Sequence, residues 1–170
     1  MFVSANWRFI LKTGALSLLL MAACSGGRND VPGSGPLANE LQIARMLSGN
    51  SFDTHANGQI YQARNGGLLS FSYHPEGPRV CKGVWKVDGA EEINVLTCKW
   101  VWNGQLYSQK EKVVRYQYHI GSVYGLDMLD EAGEFVAFLP YKYGTTYGST
   151  KYRGFPRWED FKKLSQQLGL

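Results

Sequence analysis

Val80 to Trp102 reads VCKGVWKVDGAEEINVLTCKWVW. Apolar and polar residues alternate on both sides of Asp88-Gly89, the period-two pattern of two half-buried strands joined by a tight turn. A hairpin turning at Asp88-Gly89-Ala90-Glu91 sets Cys81 opposite Cys98. The same register gathers Cys81, Gly83, Trp85 and Val87 on one face with Leu96, Cys98, Trp100 and Trp102, and leaves Lys82, Lys86 and Lys99 on the other. Hydrophobic alternation and cysteine positions thus select one register independently, since a slip of one residue would turn every side chain over. Opposed residues in such a pair lie about 4.5–5.5 Å apart at Cα, within disulfide range. A Cys81–Cys98 bridge is therefore expected; a redox-active pair would want the close Cys-x-x-Cys spacing that is missing here.

The same rhythm extends in both directions. SFDTHA (51–56), QIYQAR (59–64), LLSFSYH (68–74), KVVRYQYHI (112–120), VYGLDML (123–129) and EFVAFLP (134–140) join the two central strands to make about eight. Asn57-Gly58, Asn65-Gly66, Asp88-Gly89 and Asn103-Gly104 punctuate them as hairpin turns, where positive φ is required. No helical crossover intervenes, so the fold expected is mainly β: a small up-and-down antiparallel barrel or strongly curled meander, whose closure removes exposed edges. Leu37 to Leu47 carries Leu37, Leu41, Ala44 and Met46 or Leu47 at helical spacing and predicts a short helix ending at Ser48-Gly49-Asn50. Pro156 opens a C-terminal helix with Trp158, Phe161, Leu164 and Leu168 on one face. Between them, Tyr141 to Gly154 is rich in tyrosine, lysine and glycine, too broken by glycine for a firm strand.

Of 170 residues, 44% are hydrophobic, 14% aromatic and 19% charged, which excludes a disordered chain or a coiled coil. The N-terminus is separate in character. Arg8 and Lys12 precede an apolar run from Ala15 to Ala23, too short to span a bilayer and suited to a secretory signal. It ends in Leu20-Met21-Ala22-Ala23-Cys24, which resembles the lipobox of bacterial lipoproteins. The resemblance implies cleavage after residue 23, with Cys24 thioether-linked to diacylglycerol and N-acylated. Ser25, not an acid, follows, which in that family implies sorting to the outer membrane. Residues 1–23 are then a signal peptide, 24–36 a Gly/Pro-rich tether and 37–170 a single barrel-like domain with a basic tail and C-terminal helix. Losing Arg8 and Lys12 lowers the net charge from +4 to about +2, too little to argue for nucleic acid.

Little in the chain names a reaction. His55, His74 and His119 fall on three different strands without metal-ligand spacing, so no metal and no cofactor is expected. No G-x-S-x-G elbow appears, and the cysteines are assigned to lipid and disulfide. Glu91-Glu92 and the group Asp127, Asp130, Glu131 and Glu134 read as solvated turn acids; only two carboxylates facing each other across a cleft would revive a glycosidase. The Tyr/Lys/Arg-rich tail is the suggestive surface: Tyr143, Tyr147, Lys151, Tyr152 and Arg153 combine rings and cations suited to a glycan or partner protein. Tyrosines completing the barrel are the structural alternative.

Gly49-Asn50-Ser51, Gly83-Val84-Trp85 and the following Cys98 are similar to small β-rich periplasmic domain families of proteobacteria, over roughly residues 47–140. Gly83-x-Trp85 also resembles the lipocalin signature, placed mid-chain instead of at the first strand. Lipid-anchored lysozyme inhibitors are similar as small disulfide-bonded barrels. The expected function is that of a non-catalytic lipoprotein of the outer membrane, domain facing the periplasm, binding an envelope component, protein or glycan. An inhibitor or immunity protein against an envelope hydrolase and a small-ligand-binding lipocalin-like barrel are the alternatives. An apolar cavity with few polar groups would favour the last.

Overall fold

The computed structural model describes residues 31–54, 57–147 and 149–170. The signal peptide, Cys24 and His55 lie outside them. A short helix, α1 (Glu40–Leu47), leads into strands β1 (Asn50–Thr54), β2 (Gly58–Gln62), β3 (Gly67–His74), β4 (Gly77–Asp88) and β5 (Glu91–Trp102). There follow β6 (Gln105–Ser122), β7 (Gly125–Leu129), β8 (Phe135–Pro140), β9 (Gly144–Thr146), β10 (Ser149–Arg153) and the closing helix α2 (Trp158–Leu168). All ladders are antiparallel in one sheet of order β8-β7-β6-β5-β4-β3-β2-β1-β10-β9. Its two ends meet where β8 approaches β10, giving a nearly closed barrel. Across that seam the ring of Tyr147 stands edge-on to Phe138 at 5.2 Å.

The β4–β5 hairpin holds the expected register along its whole length, with Cys81 paired to Cys98 and Asp88 to Glu91. The two cysteines form a disulfide, their Cα atoms 4.1 Å apart. Ten strands replace the expected eight. The added pair, β9 and β10, comes from the segment read as too glycine-rich for a strand; β10 pairs with β1 through Asn50↔Arg153, Ser51↔Tyr152 and Phe52↔Lys151. β6 also begins at Gln105, well before the expected Lys112, so the β5–β6 hairpin runs on as a polar ribbon before it joins the wall. Of the four turn dipeptides, Asn103-Gly104 alone has both residues at positive φ; elsewhere one left-handed residue (Asn57, Gly66 or Gly89) suffices.

Asn39 caps α1: its side chain accepts from the Gln42 amide while Gln42 reaches back to the Asn39 amide. The helix then drives Ile43, Met46 and Leu47, all essentially buried, against Phe52, Tyr118, Leu126 and Leu139 inside one end of the barrel. The described chain before it makes its own contacts with the barrel. Gly33 donates to Asp127 Oδ2 (2.9 Å), Ile120 donates to the Pro36 carbonyl (2.8 Å), and Leu37 bridges His119. The second helix neither plugs nor flanks an open end. α2 lies on the outer wall, burying Phe161, Leu164 and Leu168 against Phe71 and Val80. Lys82 and Lys99, on the outer face as expected, donate to the last carbonyls of the chain, at Leu170 (2.8 Å) and Gly169 (2.5 Å).

Candidate functional site

Side chains alternate in and out along each strand, so a barrel of this girth encloses whatever its inner rows leave unfilled. Here the α1 plug fills one end, and a cavity of about 530 Å³ remains above it. Its middle is apolar, walled by Phe52, Ile60, Leu96, Val114, Met128 and Leu139. The Cys81 side of the disulfide forms part of the same wall. That volume falls within the roughly 300–1,000 Å³ of small-molecule sites.

The floor is polar and buried. Glu92, read as a turn acid, is instead 1% exposed: on β5 it shares the inner face with Leu96 and Cys98. Tyr118 Oη donates to its Oε2 (2.5 Å) and Gln62 Nε2 to its Oε1 (3.2 Å). Burial pushes the Glu92 carboxyl above the usual carboxylate range, against the opposing pull of Tyr118, Gln62 and Asn94. Burial likewise raises the Tyr118 phenol, and the Glu92 charge adds to it. Tyr116, one pleat nearer the opening, is raised by burial first and by Glu92 second, while Arg79 acts in the opposite sense. The Gln62 Oε1 atom is buried without a hydrogen-bond partner among the described residues.

The opening carries charge. Asp53, Thr54, His74, Arg79, Lys112 and Ser149 surround it. Asp53 is engaged on its own side, accepting from Gln59 (3.4 Å) and from Tyr152 Oη (2.9 Å). Arg79 lies with its guanidinium over the Trp100 ring at 5.6 Å, and its buried Nε has no hydrogen-bond partner among the described residues. Ion pairs among the described residues involve neither Arg79 nor Lys112.

Of the expected tail residues, Tyr143, Lys151 and Arg153 meet, with the Lys151 Nζ 5.4 Å and the Arg153 guanidinium 5.3 Å from the Tyr143 ring centre, while Tyr147 and Tyr152 contact other residues. Lys151, on β10, turns inward and is 5% exposed: its Nζ reaches the Met46 sulfur (3.4 Å) and the Tyr141 carbonyl (3.3 Å), and burial lowers its pKa. It braces the α1 plug and is not presented to a partner. Tyr143 and Tyr147 remain about half exposed, yet Tyr143 Oη donates to Asn50 Oδ1 (3.0 Å) and Tyr147 packs on Tyr124 and Phe138. Tyr152 is tied to Asp53, and the exposed Arg153 stacks over the Tyr143 ring at 5.3 Å. Three of the five thus cluster on the Tyr143 ring, while Tyr147 packs across the seam and Tyr152 is tied to Asp53.

Two groups escaped the sequence reading. Glu92 and Tyr118 could have been found by stepping in twos from Cys98 and along β6, which sets both on the inner face. Arg79 sits one residue before the segment read as a strand from Val80, and Lys112 opens the segment read as a strand from 112 to 120 without being singled out. Of the histidines, His74 borders the opening, and His119 Nδ1 lies 2.8 Å from the Gly35 carbonyl oxygen. No group of three potential metal ligands occurs among the described residues, and no described helix is long and apolar enough to cross a membrane. The chain matches no protein family, no curated protein and no solved structure.

Proposed function

We propose that this chain is a lipid-anchored, non-catalytic binding module of the outer membrane, tethered through Cys24 with its domain facing the periplasm, and that its barrel interior holds a small envelope component. One observation carries the reading: a cavity of about 530 Å³ with an apolar middle and a buried polar floor of Glu92, Tyr118 and Gln62. The anchor rests on the lipobox alone.

Two experiments test it. Cys24→Ser should abolish lipid labelling and release the protein from membranes; unchanged retention would reject the anchor. For the cavity, the neutral fluorophore N-phenylnaphthylamine should brighten on binding to the wild type. Ala137→Trp, which fills the cavity from β8, should abolish that signal without loss of fold; equal brightening in both would reject the cavity as the site.

The inhibitor reading keeps one specific support. The β5–β6 ribbon presents Trp102, Leu106 and Tyr107, each 39–58% exposed, beyond the wall. Capture of an envelope hydrolase that is lost on replacing these three, and kept in Ala137→Trp, would favour it.

A further inference from the structure

The cavity reading leaves its ligand class open, and the distribution of charge narrows it. A site with an apolar middle selects a molecule with an apolar body; what surrounds the opening selects the end left near water. Arg79 and Lys112 both line that opening, and ion pairs among the described residues involve neither. The Arg79 Nε is buried and has no hydrogen-bond acceptor among the described residues, a costly state for a guanidinium donor. The guanidinium also lies over the Trp100 ring, 5.6 Å from its centre, a cation–π contact that favours its position there. The one carboxylate at the opening, Asp53, is held by Gln59 and Tyr152. Below, Leu96, Val114, Met128 and Leu139 supply apolar wall, with Ser70, Ser72 and Tyr116 also lining the cavity above the Glu92–Tyr118 floor.

Resting on the cavity reading, we infer that the barrel takes a single-chain aliphatic acid, its anionic head at Arg79 and Lys112 and its chain running down the apolar wall toward Tyr118. A cationic head would meet two like charges at the opening. A neutral hydroxyl head could accept from Arg79 but would leave both positive charges uncompensated. An anion supplies the missing acceptor and meets both cations, and charge-assisted hydrogen bonds of this kind are the stronger class.

The test is displacement of N-phenylnaphthylamine from the full-length protein by three probes sharing one chain: laurate, dodecanol and dodecyltrimethylammonium. Laurate should displace the fluorophore at a concentration lower by about tenfold or more than dodecanol, with the ammonium weakest, as one or two charge-assisted contacts would give. Arg79→Gln with Lys112→Gln should remove the advantage of laurate and leave dodecanol unchanged. Arg79→Lys should retain much of it, which keeps the test valid if the double variant fails to fold. Lys86→Gln, on the outer wall beside Asp88, should change nothing. Dodecanol or the ammonium matching laurate on the wild type would overturn the assignment of an acid while leaving the cavity as the site. Fluorophore binding that survives Ala137→Trp would overturn both.

Discussion

Glu92 shows how far a single residue can depart from its local signal. An acidic pair beside Asp88-Gly89 reads as solvated turn, yet the pleat turns Glu91 outward and Glu92 inward. A buried carboxyl is tolerable only with partners, and these are Gln62 and Tyr118, distant in sequence and brought near by the barrel. Nothing around Glu92 in the chain announces them. The sign of its effect on stability follows. Because burial raises its folded pKa, the native state binds the proton more tightly than the unfolded chain does, so the contribution is fully present below the ordinary carboxylate pKa and declines as pH rises through the raised value. Denaturant unfolding of wild type and Glu92→Gln across mildly acidic to neutral pH should therefore give a difference that moves against the wild type as pH rises. A difference independent of pH would contradict the burial argument. Gly83 is the converse case, legible but for another reason. A Cβ there would run into the Val95 carbonyl and Leu96 on β5, so close strand approach accounts for the glycine of Gly83-x-Trp85. Trp85 then ties its strand to the β2–β3 turn through the Gly66 and Ala63 carbonyls.

At the scale of elements, the readable parts were those with strong period and sharp ends. The β4–β5 hairpin was fixed by two independent constraints, alternation and cysteines, and it folds in that register. Reduction of the disulfide should lower Tm by on the order of 10 °C, since closing a loop of this size is worth about 3 kcal/mol. Calorimetry of the isolated domain with and without reductant checks this, and an unchanged Tm would remove the bridge from the stability argument. β10 was unreadable because its pairing is nonlocal: Ser149–Arg153 becomes a strand by adding to β1, the first strand of the sheet. The same nonlocality hides Lys151, whose inward face is set by that ladder and by α1. α1 was legible as a helix from its caps and spacing. Its role as a plug was not, because spacing fixes which face is apolar and not what that face meets.

The whole molecule combines these pieces into a container: a stitched wall, a polar Glu92–Tyr118 floor and a basic rim around a cavity of about 530 Å³, with α1 packed at one end of the barrel. A barrel was foreseeable from successive hairpins, whereas the unfilled volume inside it was not. Whether an interior is packed or hollow depends on side-chain volumes summed around ten strands and on where a helix enters. The most direct test of the container is native mass spectrometry of the protein extracted gently from its own membranes. Wild type should carry a mass beyond that of the lipidated chain, released on denaturation as a small acidic molecule, and Ala137→Trp should carry none. Wild type arriving empty, or both proteins carrying the same adduct, would contradict the account.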